Sequence, residues 1–123
     1  MRLYPEELDT RGLSPITLAF VGDGVFELMV REHLAASANR PANALHRQAV
    51  SMVCAPAQAA ALDKLMPHLT EKELAVYKRG RNAHTARTGD YYHKATGLET
   101  LFGYLYLNDE TDRLHELFAL IAE

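Results

Sequence analysis

The chain has 123 residues, of which 48% are hydrophobic and 24% charged, and its net charge is −3. This length suffices for one domain with a substantial core, and so high an apolar content excludes a disordered chain. A single cysteine excludes an internal disulfide framework and a zinc site built from several cysteines. Abundant Leu and Ala, with few and scattered β-branched residues, favour an all-α fold. We expect one domain over residues 1–123.

No basic N-terminal region precedes an apolar run, so no signal peptide is expected. No stretch of 18 uncharged apolar residues occurs, so no membrane span is expected either. A cytoplasmic protein follows as the default. The lone Cys54 is expected to be a small core residue, since free cysteine is among the most buried residue types.

Residues 1–14 form a short lead-in to the first predicted helix. Ser14 followed by Pro15 is a helix start signal, an N-cap hydroxyl and then proline at the first helical position. Helix one is predicted from Pro15 to about Ala36. It is apolar nearly all round until Arg31, and we expect it to be central.

Five further helices and a long loop follow. The helices are predicted at about 41–54, 56–66, 70–79, 94–107 and 110–122. Thr70 and Glu73 fit a capping box at the start of the fourth helix. The loop spans about 80–93 and is rich in Gly, Asn, Thr and Arg. A loop of this length inside a compact helical domain is unusual and often functional.

Asp23 lies in the apolar first helix between Gly22 and Gly24. Two glycines inside a helix cost about 1 kcal/mol each relative to alanine. An ionised carboxylate buried among apolar neighbours costs several kcal/mol more unless it is paired. A metal ion would pair with Asp23, and a buried salt bridge to Arg47 or Lys94 would do so equally well.

Glu99 lies in a second apolar helix, and Thr96 and Gly103 share its face. Gly103 allows another backbone or a ligand to approach closely. Carboxylates from facing helices are a common way to build a hard-cation site in a bundle. Oxygen-only ligands favour magnesium or manganese. Glu27 could lean over the same site or pair with Arg31 on the surface.

Residues 78–94 hold five cations and one acid, a net charge of +4. Because the whole chain carries −3, the other 106 residues carry −7. Such asymmetry suggests a patch for a polyanion, although charged loops are mostly solvated. The arginines of K-R-G-R-N can make bidentate phosphate contacts, and Gly80 would let a backbone approach. Tyr91 and Tyr92 could stack on a sugar or base, or simply pack.

Three stretches resemble the ribonuclease III catalytic domain. L-A-F-V-G-D-G-V (18–25) is similar to the family's helix with an apolar-apolar-Gly-Asp core. T-G-L-E-T-L-F-G-Y-L-Y-L (96–107) resembles its second acidic helix, in which Gly follows Glu by four residues. K-R-G-R-N-A (78–83), with L-H-R (45–47), is similar to the short bacterial form, mini-ribonuclease III. The resemblance covers about 12–120 and implies the all-α helical bundle of the ribonuclease III endonuclease domain.

The resemblance carries Asp23 and Glu99 over as catalytic and metal-binding residues. The larger enzymes have further acids where this chain has Ile16, Ala19, Thr96 and either Ala42 or Asn43. The resemblance therefore implies one Mg²⁺ whose shell waters and RNA phosphate complete, with Mn²⁺ as a substitute. Supporting positions around it are assigned to Glu27, Arg47 and Thr96. The RNA backbone would be held by Arg79, Arg81, Asn82, Arg87 and Lys94.

The family resemblance also implies an activity and an assembly. The expected enzyme is a magnesium-dependent endoribonuclease that cuts double-stranded RNA, leaving a 5′-phosphate and a 3′-hydroxyl. Its implied substrate is a stem in precursor large-subunit (23S) ribosomal RNA. The implied assembly is a homodimer, with the glycine-bearing first helices close to the two-fold axis, where close backbone approach would explain Gly22 and Gly24. The loss of family acids leaves a non-catalytic module that binds structured RNA as an alternative, and a scaffold with two salt-bridged acids as a third.

Overall fold

The computed structural model describes residues 2–86 and 88–122. It contains six α-helices: α1 Pro15–Ser37, α2 Ala42–Val53, α3 Ala55–Leu65, α4 Glu71–Arg81, α5 Asp90–Leu107 and α6 Thr111–Ala122. Short 3-10 helices occupy Thr10–Gly12 and Met66–His68. No strand occurs in these described ranges. The predicted all-α fold is confirmed.

The predicted helix starts are confirmed where the sequence carries capping residues. The Ser14 hydroxyl accepts a 3.1 Å hydrogen bond from the backbone N–H of Thr17, and Pro15 occupies the first turn of α1. At α4 the Thr70 hydroxyl accepts from the backbone N–H of Glu73, and the Glu73 carboxylate accepts from the backbone N–H of Thr70. Each cap satisfies N–H groups that have no partner within the helix.

The segment between α4 and α5 is shorter than predicted, because α4 continues to Arg81 and α5 begins at Asp90. Gly80 was expected to open the loop and admit an RNA backbone, and that expectation is wrong. It lies inside α4 and is buried, where an added methyl group would overlap the side chain of Thr100 and press on the backbone of Gly97. The glycine therefore serves helix packing.

The central helix is α5, and the expectation that α1 is central is wrong. Residues 95–103 of α5 are all buried, whereas on α1 Phe20 is 81% exposed and Ile16 and Leu28 are also exposed. All six helices contribute to one hydrophobic cluster around α5. The apolar excess of α1 is therefore left on the surface of the single chain, which makes α1 a candidate contact surface.

Two other features bear on the fold. Cys54 was expected in the core and is instead exposed, because it caps the junction between α2 and α3. The capping-box residue Glu73 also accepts two hydrogen bonds from Arg113 of α6, at 2.8 and 2.9 Å, and these bonds lower the pKa of its carboxyl group. Glu73 thereby ties α4 to α6. Among the described residues, no helix combines the length and hydrophobicity needed to cross a membrane.

Candidate active site and RNA-binding surface

Helices α1 and α5 cross at two glycines, and this crossing positions the two candidate carboxylates. A methyl group added to Gly22 would overlap the carbonyl oxygen of Glu99. A methyl group added to Gly103 would overlap the carbonyl oxygen of Leu18. The backbones therefore touch where alanine would hold them apart. Close approach at Gly103 was predicted. At Gly22 a close approach to a second copy was expected, and this is wrong, because the backbone that approaches Gly22 belongs to α5 of the same chain.

Asp23 directly follows Gly22, so its Cα lies about 3.8 Å from a residue in backbone contact with Glu99. The structure therefore brings the backbone positions of the two predicted acids to the same crossing. Their environments differ, because Asp23 is exposed while Glu99 is only 8% exposed. The expected burial of Asp23 is wrong: Asp23 points away from the packed face of α1 and bears no large desolvation cost.

A buried threonine holds the crossing in place. The Thr100 hydroxyl is 1% exposed and lies 2.7 Å from the carbonyl oxygen of Thr96 and 3.2 Å from that of Pro15. Thr100 thus ties the start of α1 to α5, one residue after Glu99. Sequence reasoning missed this role; the only signal was a hydroxyl within an otherwise apolar run.

No larger cluster of metal-ligating side chains accompanies this pair of acids in the part of the chain that the structure describes. Within residues 2–86 and 88–122, no three His, Cys, Asp or Glu side chains are grouped closely enough to hold a metal ion together. Asp23 makes no ion pair with any described residue, so neither Arg47 nor Lys94 pairs with it. Carboxylate oxygens suit a hard cation, and the structure leaves the Asp23 carboxylate open to one.

Two of the three predicted supporting residues have other partners. Glu27 forms an exposed 3.0 Å ion pair with Arg31, one helical turn away. The Thr96 hydroxyl is buried and donates to the carbonyl oxygen of Tyr92 at 2.9 Å. Arg47 is exposed on α2. Their assignment to the surroundings of a metal stays a prediction.

The predicted RNA-binding residues occupy the end of α4 and the segment after it. Arg79 and Arg81 are exposed, and Arg81 Nε lies 3.3 Å from the side-chain oxygen of Asn82, the C-cap of α4. Arg87 lies outside the described residues. Arg79 and Arg81 therefore project from α4 and not from the loop that follows it. The contact of these residues with RNA stays a prediction.

Lys94 is more constrained than the other predicted RNA contacts. Its ammonium group lies 3.5 Å from Asp63 of α3 and 3.7 Å from Asp90, and its side chain is 30% exposed. Asp63, and then Asp90, raise the pKa of Lys94. Lys94 therefore links the start of α5 to α3, and it would have to exchange these carboxylates for phosphate in order to bind RNA.

Comparison with known proteins identifies the family. Residues 16–110 match the family model of the ribonuclease III domain. A mini-ribonuclease 3 of Symbiobacterium thermophilum is 47% identical over 116 residues, covering 90% of this chain and 89% of that protein. One from Enterococcus faecalis is 42% identical over 116 residues, covering 89% and 88%.

A solved structure supports the same placement. The crystal structure of a Fusobacterium nucleatum protein superimposes with a TM-score of 0.83 at 26% identity, covering 95% of this chain and 97% of that one. The glycine crossing that carries both acids lies inside the matched region. The chain belongs to the ribonuclease III domain family and is an endoribonuclease of that family.

Proposed function

We propose that this protein is a magnesium-dependent endoribonuclease that cleaves double-stranded RNA and leaves a 5′-phosphate and a 3′-hydroxyl. The observation that carries the proposal is the glycine crossing of α1 and α5, which places Asp23 beside the residue that touches Glu99. The substrate we propose is a stem of precursor large-subunit (23S) ribosomal RNA, processed in the cytoplasm. The names of the relatives support the ribonuclease class, and the choice of RNA is our inference.

Asp23 and Glu99 are the residues that would hold the metal. When bound, Mg²⁺ lowers the pKa of a coordinated water and neutralises charge on the scissile phosphate. The exposed Asp23 can reach an ion that arrives with the RNA, while the nearly buried Glu99 is held rigidly by the packing of α5. Waters and a phosphate oxygen would supply the remaining ligands, because the chain offers no third acid in this group among its described residues.

The RNA would be gripped by Arg79, Arg81, Asn82, Arg87 and Lys94. A-form duplexes hide their base edges in a deep, narrow groove, so recognition should rest on shape, phosphates and 2′-hydroxyls. Exposed arginines suit bidentate phosphate contacts. We expect weak sequence preference and a steep dependence of affinity on salt.

The direct test is cleavage of an end-labelled RNA duplex in Mg²⁺, in Mn²⁺ and in excess EDTA. We expect cleavage with either ion and none in EDTA, with full recovery when Mg²⁺ is restored. The product ends are identified with an exonuclease that requires a 5′-phosphate. It should degrade the cleavage product, and treating the product first with a phosphatase should protect it. Undiminished cleavage in EDTA would contradict a metal-dependent reaction.

We also propose that the enzyme is a homodimer, formed through the exposed apolar face of α1. Phe20 and Leu28 are exposed on this helix, and Leu28 lines a pocket of about 390 Å³ that opens between α1, the end of α5 and α6. Its lining combines apolar side chains, Val21 and Val25 among them, with Gly24 and with polar side chains that include Glu32. An exposed aromatic ring and a pocket on one surface allow a self-complementary two-fold contact, because each copy supplies both.

Phe20→Glu should convert the dimer to a monomer. The substitution places a charge where an apolar ring would enter the partner, while the ring's 81% exposure means that the single chain loses little packing. The molar mass measured by light scattering after size exclusion should fall from about twice the 13.7 kDa mass of the chain to the mass of one chain. Val50→Glu is the matched control, since Val50 is also exposed but lies on α2. A wild-type monomer, or a dimeric variant, would contradict this interface.

A further inference from the structure

A second positively charged surface lies largely outside the basic segment 78–94. A pocket of about 440 Å³ opens between the N-terminal segment, α4 and the C-terminal end of α5. Three cations line it, Arg11, Lys72 and Arg79, together with one acid, Asp9. Of the three cations, only Arg79 belongs to the basic segment 78–94.

The geometry of α4 places two of these cations in one row. Lys72 and Arg79 are seven residues apart, which is close to two helical turns, so they project from the same side about 10 Å apart. Both are exposed, and neither forms an ion pair with any described residue. Val76 lies between them and forms part of the pocket floor. The pKa of Lys72 is raised by its hydrogen bond with the Tyr104 side chain and by the charge of Glu110, so its exposed ammonium group stays charged.

The remaining lining contributes one acid, an aromatic ring and a polar side chain. Arg11 Nε and Nη2 each donate a 3.0 Å hydrogen bond to the Asp9 carboxylate, which offsets one positive charge of this exposed pair. Lys72 Nζ lies 5.7 Å from the centre of the Tyr104 ring. Asn108 supplies a polar side chain at the far edge. The pocket keeps two net positive charges, which match a phosphate group.

We infer that this pocket binds a phosphate group, and that the backbone of a duplex RNA supplies it. The inference extends the proposed function, on which the choice of RNA rests, by adding a contact outside the 78–94 segment. The pocket borders α1 through Leu18, whose carbonyl oxygen packs on Gly103 at the glycine crossing. Free inorganic phosphate is the other source of the same chemistry.

Lys72 is the diagnostic residue, because Arg79 is already among the predicted RNA contacts. Duplex RNA binding is measured in EDTA over a range of salt concentrations for wild type, Lys72→Gln and Lys72→Arg. The slope of log affinity against log salt should become shallower by about 1 in Lys72→Gln and stay unchanged in Lys72→Arg. Lys64→Gln is the matched control, an exposed lysine on α3 outside the pocket, and it should leave the slope unchanged.

A second arm titrates inorganic phosphate into wild type and Lys72→Gln, with the backbone amide signals of Thr10 and Asn108 followed by NMR. A shallower slope with silent amides identifies RNA as the source. Phosphate-dependent shifts that Lys72→Gln removes, without a change of slope, identify free phosphate. No effect in either arm overturns the inference. Binding is measured without divalent metal, so an absence of cleavage would overturn the nuclease proposal and leave this result standing.

Discussion

Asp23→Asn should lower the rate of RNA cleavage by about 10³-fold or more, while binding of the uncut duplex persists. A metal-stabilised transition state is worth several kcal/mol, and about 4 kcal/mol corresponds to a thousandfold in rate. Asparagine keeps the size of the side chain but removes the negative charge that a cation needs. Because Asp23 is exposed, the substitution should leave folding intact. Single-turnover kinetics measure the loss of cleavage, and binding assays in EDTA measure the affinity for uncut RNA separately.

Glu99→Gln should produce a loss of cleavage of similar size through the other half of the pair. Because Glu99 is nearly buried, the folding of the Glu99→Gln variant must be checked by thermal melting. Asp112→Asn is the matched control, because Asp112 is an exposed acid in the first turn of α6, away from the α1–α5 crossing. It should cleave at the wild-type rate. The two site variants and the control together separate loss of a ligand from a general change in surface charge.

Other outcomes point to other roles for the two acids. Equal cleavage by Asp23→Asn and wild type would show that Asp23 does not hold the metal. Binding without cleavage in every protein, wild type included, would favour a module that binds structured RNA. A strong effect of Glu99→Gln with none of Asp23→Asn would place the metal on α5 alone.

The positions of the helices could be predicted because the residues that mark helix starts act on their immediate neighbours in the sequence. Ser14 and Thr70 cap helices by side-chain bonds to nearby N–H groups, and such bonds depend on a few adjacent residues. The choice of Asp23 and Glu99 also came from local pattern, an acid beside glycine in an apolar helix. The meeting of their two segments at one crossing could be inferred only through family resemblance.

The errors arose where two segments distant in sequence meet. Gly80 is helical because Thr100 and Gly97 lie against it, and no neighbour in sequence carries that information. The burial expected for Asp23 came from counting apolar neighbours along α1, whereas the structure exposes Phe20 from the same helix. An apolar pattern along a helix predicts that the helix packs against other residues. It does not show whether those residues belong to the same chain or to a second one.

Gly22→Ala should be among the most destabilising single substitutions in the protein. The added methyl group would overlap the carbonyl oxygen of Glu99 and press on the backbone N of Gly103, and backbone atoms cannot rotate away as a side chain can. The helices must separate, and overpacking of this kind costs about 3 kcal/mol. Urea unfolding followed by circular dichroism should show a clear fall in the midpoint. Partial separation of α1 and α5 should also slow cleavage, since a shift of about 1 Å can cost a hundredfold in rate.

Gly24→Ala is the control for this prediction, because it makes the same chemical change two residues away. Nothing lies within 4 Å of a methyl group added to Gly24, so the substitution should stabilise α1 by about 0.5–1 kcal/mol through helix propensity. Gly24 lines the apolar pocket proposed to receive a partner, so both variants are compared in the Phe20→Glu background, where that contact is absent. Opposite shifts of the unfolding midpoint are expected. Equal shifts would mean that the α1–α5 contact at Gly22 is looser than the structure describes, and the placement of Asp23 beside Glu99 would lose its basis.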